Sequence, residues 1–123
     1  MIVTRRATIL SSILRVSIAF AAALALAVAP SLLQAEDAVT IQISVKNRRF
    51  EPATIHGPAN KPIVLRVKNL DATPMEFESV SLRVEKVVTA NSEGVINLRP
   101  LQPGQYTFFD DFHQETTGVL IIQ

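Results

Sequence analysis

Residues 103–113 read PGQYTFFDDFH, a Pro-Gly turn followed by an aromatic segment, two carboxylates and an imidazole. Pro-Gly pairs mark turns, and Tyr and Phe favour the pleated surface of a strand. The stretch therefore predicts a strand that begins near Gln105 and ends in a loop holding Asp110, Asp111 and His113. Because all three of these side chains can bind metals, the end of this strand is the first candidate site.

Two other segments alternate between apolar and polar residues with the period of a half-buried strand. Residues 39–45 read VTIQISV, and residues 63–68 read IVLRVK. Further extended segments, separated by Pro, Gly and Asn turns, are predicted at 50–55, 75–78, 82–88, 95–98, 105–109 and 118–122. No segment after residue 35 keeps the 3.6-residue period of a helix. The pattern predicts one all-β domain, a sandwich or small barrel of about seven strands.

The first 35 residues have the layout of a secretory signal. Three arginines and no acidic residue accompany an apolar run at 16–28, and Ala35 is a small residue suited to cleavage before Glu36. We expect a signal helix within 1–35 that is removed on export, leaving a periplasmic domain at 36–123. The alternative is an uncleaved anchor that holds this domain on the periplasmic side of the membrane, because residues 16–33 nearly reach the length of a bilayer span.

Removal of that segment changes the charge balance and narrows the function classes. Three of the 12 basic residues lie in it, so residues 36–123 keep 9 basic and all 11 acidic side chains, a net charge of −2. No basic stripe remains, so we expect no nucleic-acid partner. The chain has no cysteine, which excludes both disulfides and metal–thiolate chemistry.

The order of several short motifs resembles the cupredoxin pattern over essentially all of residues 36–123. The motifs are Phe50-Glu51-Pro52, Val67-x-Asn69-x-Asp71, Leu101-x-Pro103-Gly104-x-Tyr106-x-Phe108, a loop ending in His113, and Gly118-Val119-Leu120. This resemblance implies a cupredoxin-like Greek-key β-sandwich.

The resemblance also implies where a copper site would lie, and the match is incomplete. The two copper-binding histidines of blue-copper members fall at Met75 and His113, and the copper-binding cysteine falls at Asp110. No counterpart of the axial methionine occurs between Gln114 and Gly118. Since blue-copper electron transfer depends on a copper–thiolate bond, the chain is not expected to be a type 1 electron carrier.

A second set of segments is similar to the EfeO-type cupredoxin-like group, periplasmic components of bacterial high-affinity iron-uptake systems. The segments are 75–79 (MEFES), Glu85-Lys86 and 108–113 (FFDDFH). The similarity implies binding of copper, iron or both, in a role beside a membrane iron permease and its associated periplasmic components.

The ligand types suit two sites. The first combines His113 with Met75 and Asp110, with Asp111 as a further hard ligand, because imidazole and thioether suit copper and carboxylates suit Cu(II) or iron. The second combines Glu76 and Glu78, with Glu85 on the next segment as a further candidate ligand. Alternate residues of a strand share a face, so these two carboxylates point away from Met75. The competing interpretation of the second set is a solvated face balanced by Arg83 and Lys86.

Other functions stay open at this point. No nucleophile–base pair is present, so the chain is not predicted to be an enzyme by itself, although an accessory ferroxidase role is one alternative. A periplasmic copper chaperone and a metal-free interaction module are others. The sequence does not decide between copper and iron, or whether a homodimer completes the coordination shell.

Overall fold

A computed structural model describes residues 37–123 of the chain, and all of its regular structure is β-strand. The predicted signal helix at 1–35 lies outside the described residues. Within residues 37–123, no helix is long and apolar enough to cross a membrane. The predicted all-β class is confirmed.

Within residues 37–123, nine strands form two sheets. Their bounds are β1 Val39–Lys46, β2 Arg49–Glu51, β3 Thr54–Gly57, β4 Ile63–Asn69, β5 Met75–Ser79, β6 Val84–Val88, β7 Ser92–Leu98, β8 Gly104–Asp110 and β9 His113–Ile122. The four-stranded sheet has the order β2-β1-β4-β7, and the five-stranded sheet has the order β3-β9-β8-β5-β6. The pairs β1–β4 and β3–β9 are parallel, and the other pairs are antiparallel.

The core lies between the sheets because each strand turns its apolar residues inward. Ile43, Leu65 and Val67 are fully buried in the first sheet, and Phe77 and Leu120 are fully buried in the second. Burial of each such side chain contributes roughly 1.5–3 kcal/mol. No disulfide is available in this small domain, so this apolar layer is its main source of stability.

Three aromatic rings fill the core near the end of the sandwich that carries the candidate site. Phe108 stacks on Phe77 with ring centroids 4.9 Å apart, and Phe50 meets Phe108 edge-on at 4.9 Å. Such pairs add roughly 0.5–1.5 kcal/mol each beyond their buried area. The rings therefore hold β5 and β8 firmly next to one another.

The largest differences from the predicted strands occur at three places. The predicted strand at 50–55 is two strands in different sheets, since Pro52 has no N–H for a ladder. Strand β7 starts at Ser92, not at 95, because Gly94 lies inside the strand. Strand β9 starts at His113, not at 118, and its register with β8 shifts between Phe109 and Asp110.

Gly94 lies inside β7 and has a packing role there. It pairs with Val67 in the first sheet. A Cβ built at Gly94 would lie 2.7 Å from Val88 Cγ2 on β6 of the other sheet. The glycine therefore permits a close approach of two strands, which is the other common reason for a glycine inside a strand.

Candidate metal centre

The candidate site lies where β5 begins, β8 ends and β9 begins. Strands β5 and β8 are antiparallel, with Phe77 opposite Asp110. Strands β8 and β9 form a tight hairpin that Asp110 and His113 close, with Asp111 and Phe112 in the turn. The Asp111 N–H donates to the Glu76 carbonyl at 2.9 Å. This contact fastens the hairpin turn to the start of β5.

Strand alternation separates the ligand types of β5 as the sequence predicts. Met75 and Phe77 are at most 1% exposed and belong to the core. Glu76 and Glu78 lie on the opposite, outer face of the sheet. Strand β6 places Glu85 directly across from Glu78, so it shares this outer face.

Three carboxylates meet on this face and are called here the carboxylate cluster: Glu76, Glu78 and Asp111. One oxygen from each lies within 4.8 Å of the other two. Glu76 is only 8% exposed, and the other two are half-buried. Asp111 was predicted to accompany His113, and the structure instead brings it to the two glutamates.

The electrostatics of the cluster disfavour its fully ionised form. The nearby Glu85 carboxylate raises the pKa of Glu76 through a shared hydrogen bond, and burial and the negative charges of Glu85, Asp111 and Glu78 add to this effect. Burial raises the pKa of Glu78, as do the charges of Asp111 and Glu85 and a hydrogen bond with Asp111. Like charges held this close favour a proton or a cation between them.

No side chain of the described residues neutralises the cluster. The ion pairs of residues 37–123 are Arg66–Glu93 and His113–Asp110, and the predicted partners Arg83 and Lys86 form none with these carboxylates. Within the same residues the Glu76 carboxylate pairs with no basic side chain, and its hydrogen-bonding partner is another acid, Glu85. Carboxylates held this close together are costly when all of them are ionised, and a bound cation would lower this cost.

Asp110 is arranged very differently from its neighbour Asp111. Its side chain is fully buried. Oδ1 accepts the N–H groups of Glu76 and Phe112, each at 3.0 Å, and Oδ2 lies 2.8 Å from His113 Nδ1. Both oxygens thus already have partners within the protein.

The structure brings Met75, Asp110 and His113 to the same end of the sandwich, and among their ligand atoms Nε2 of His113 is the one that no hydrogen bond of the described residues engages. Met75 packs in the core, and Asp110 and His113 Nδ1 bond to each other. The His113 side chain is 18% exposed. With no cysteine in the chain, these residues do not fit a type 1 copper ion, which needs a thiolate in a trigonal site.

Sequence reasoning missed two features of the site. It grouped Asp111 with His113, because it placed both in one loop and did not predict the tight hairpin. It also treated Asp110 as a metal ligand, although the N–H groups that it accepts come from separate segments of the chain. The alternation of β5 was the signal that did locate Glu76 and Glu78.

The chain is similar to a known protein family and to an individual known protein. Residues 16–122 match the Cupredoxin-like domain family. An uncharacterized protein of Rickettsia prowazekii (strain Madrid E) is 38% identical over 87 residues, covering 71% of this chain and 70% of that protein.

Solved structures show the same fold at low sequence identity. The metal-binding domain of the Streptococcus pneumoniae D39 Cu(I)-exporting P-type ATPase CopA has a TM-score of 0.63 at 16% identity, covering 68% of this chain and 84% of its own. Auracyanin A, a blue copper protein of Chloroflexus aurantiacus, has a TM-score of 0.60 at 12% identity, covering 71% and 100%.

Proposed function

The chain belongs to the Cupredoxin-like domain family, and we propose that it is an exported metal-binding protein whose cation lies in the carboxylate cluster. The surroundings of Glu76 are the main support for this proposal. This residue is 8% exposed, no basic side chain of the described residues pairs with it, and one of its carboxylate oxygens lies within 4.8 Å of oxygens from two further carboxylates. A cation is the partner that this arrangement lacks.

The chemistry of the cluster selects hard cations. Three carboxylates with Glu85 nearby suit iron or Cu(II), whereas Cu(I) prefers thiolate and thioether ligands. The one methionine of residues 37–123 packs in the core, which argues against a Cu(I) chaperone. Glu78 and Asp111 are only half-buried, so a bound ion would remain within reach of solvent and exchangeable.

Iron uptake is the cellular role that we propose for this site. The similarity of residues 75–79 and 108–113 to the EfeO-type group supports it, and both segments contribute to the cluster. In this role the domain is periplasmic and receives or passes iron beside a membrane iron permease. Copper, bound as Cu(II) at the same oxygens, is the second ion that the ligands accept.

Calorimetric titration of the purified protein tests the binding site. We expect Cu(II), and Fe(II) under anaerobic conditions, to bind the wild type, and Glu78→Gln to weaken binding about 10–100-fold because one of three ligands is lost. Glu115→Gln is the matched control, since Glu115 is an exposed carboxylate outside the cluster, and its affinity should equal that of the wild type. Equal affinity of Glu78→Gln and the wild type would contradict the site. Absence of binding by the wild type would favour a metal-free interaction module.

The cellular role needs a separate test. Cells that lack this chain should take up radioactive iron more slowly at low external iron, and the wild-type gene should restore uptake better than the Glu78→Gln gene. Unchanged uptake in the deletion strain would contradict the role in iron transport while leaving the metal site intact.

A further inference from the structure

We propose that Asp110 is a positioning residue for the carboxylate cluster. Its buried side chain holds the backbones of the cluster residues without contacting the cation. This inference rests on the proposed function of the cluster. It assigns to Asp110 a role different from ligation, which was expected from its place in the sequence.

One oxygen of Asp110 binds backbone N–H groups from two segments of the chain. Asp110 Oδ1 accepts the N–H of Glu76, which is itself a member of the cluster, and the N–H of Phe112, which follows Asp111. The Asp111 N–H in turn donates to the Glu76 carbonyl. The peptide groups that carry Glu76 and Asp111 are therefore linked by three hydrogen bonds beside the fully buried Asp110 side chain, which fixes the separation of the two backbone segments.

The second oxygen, Oδ2, determines which ring nitrogen of His113 carries the proton. A carboxylate oxygen acts as an acceptor, so we assign the proton of the 2.8 Å contact with Oδ2 to Nδ1 of the imidazole. The contact also holds the first residue of β9 against the last residue of β8, which closes the hairpin below Asp111. Both carboxylate oxygens of Asp110 therefore hold neighbouring groups in place.

Asparagine can reproduce this pattern with one difference that is measurable. Its Oδ1 can accept both backbone N–H groups, and its Nδ2 can donate to His113 Nδ1. The imidazole proton would then move to Nε2. Alanine removes the three hydrogen bonds of the Asp110 side chain and leaves the N–H groups of Glu76 and Phe112 without this acceptor.

The test compares Asp110→Ala and Asp110→Asn with the wild type by Cu(II) and anaerobic Fe(II) titration. We expect affinity to fall about 10–100-fold in Asp110→Ala, as for other outer partners of metal ligands, and to stay within about threefold in Asp110→Asn. Nitrogen-15 NMR should show the His113 proton on Nδ1 in the wild type and on Nε2 in Asp110→Asn. Amide exchange of Glu76 and Phe112 should be slow in both of these proteins and fast in Asp110→Ala.

A folded Asp110→Ala protein with wild-type affinity would contradict the positioning role of Asp110. An Asp110→Asn protein that loses affinity or keeps the Nδ1 proton would contradict it as well. If Asp110→Ala does not fold, the Asp110→Asn result decides alone. A wild type that binds neither ion would overturn the proposed function, and the amide exchange rates would still show whether the hydrogen bonds exist.

Discussion

At the scale of single residues, two adjacent aspartates have opposite surroundings. Asp110 is the last residue of β8 and turns into the core, where it accepts three hydrogen bonds. Asp111 is the first residue of the turn and points to the outer face, where it joins Glu76 and Glu78. The backbone at the end of β8, and not the side-chain chemistry, gives them different roles.

The His113–Asp110 bond predicts a stability effect. His113→Ala should lower the free energy of unfolding by about 1–3 kcal/mol, because it leaves the fully buried Asp110 Oδ2 without a donor. Asparagine at position 113 places an N–H2 group close to where Nδ1 lies, so His113→Asn should recover part of the loss. Urea unfolding measures both, and equal stability of the alanine variant and the wild type would show that the bond contributes nothing.

The raised pKa values of Glu76 and Glu78 predict a pH dependence of the metal-free protein. When the pKa of a carboxyl is higher in the folded state, its stabilising contribution is complete below the unfolded pKa and is lost as the pH rises through the folded pKa. Glu76→Gln lacks this effect, so it should be more stable than the wild type at pH 7. The difference should shrink when unfolding is measured below the ordinary glutamate pKa. A difference that grows on acidification would mean that the pKa of Glu76 is lowered.

At the scale of strands, alternation was sufficient to locate the long, half-buried elements. Residues 39–45 and 63–68 were predicted as strands and are the central strands β1 and β4. The same rule placed Glu76 and Glu78 together on one face of β5. It failed at 113–117, where HQETT has too few apolar residues to indicate a strand that is nevertheless held by pairing with β8. Pairing between distant segments, which formed that hairpin and brought Asp111 to the cluster, leaves no local pattern in the sequence.

Contact between β6 and β7 gives a prediction at the same scale. Gly94→Ala should destabilise the domain by about 1–3 kcal/mol, because the new methyl group would lie 2.7 Å from Val88 Cγ2 in an already packed core. Val88→Ala should also destabilise it by removing buried methyl groups. In the double variant the two losses should be less than additive, as measured by urea unfolding. Strict additivity would show that these two positions do not meet.

At the scale of the whole molecule, the chain keeps the sandwich of copper proteins such as auracyanin A and lacks the thiolate on which a blue site depends. The described residues place their candidate cation site on the outer face of the five-stranded sheet. The fold could be predicted from the sequence because it depends on many apolar positions. The site could be predicted only in part because it depends on a few polar side chains whose neighbours come from distant strands.

This whole-molecule difference predicts the spectrum of the copper-loaded protein. Cu(II) bound by carboxylate oxygens should give only weak visible absorption, since the intense colour of blue sites comes from a copper–thiolate bond. Glu115→Gln should give the same spectrum, and Glu78→Gln should show reduced copper binding. An intense visible band would contradict oxygen ligation.

Anomalous diffraction from crystals grown with Fe(II) or Cu(II) tests the central claim most directly. The proposed site predicts one strong peak bounded by the side-chain oxygens of Glu76, Glu78 and Asp111, with Asp110 still hydrogen-bonded to the Glu76 N–H and to His113. A peak on His113 with Asp110 turned toward the metal, and none in the cluster, would contradict it.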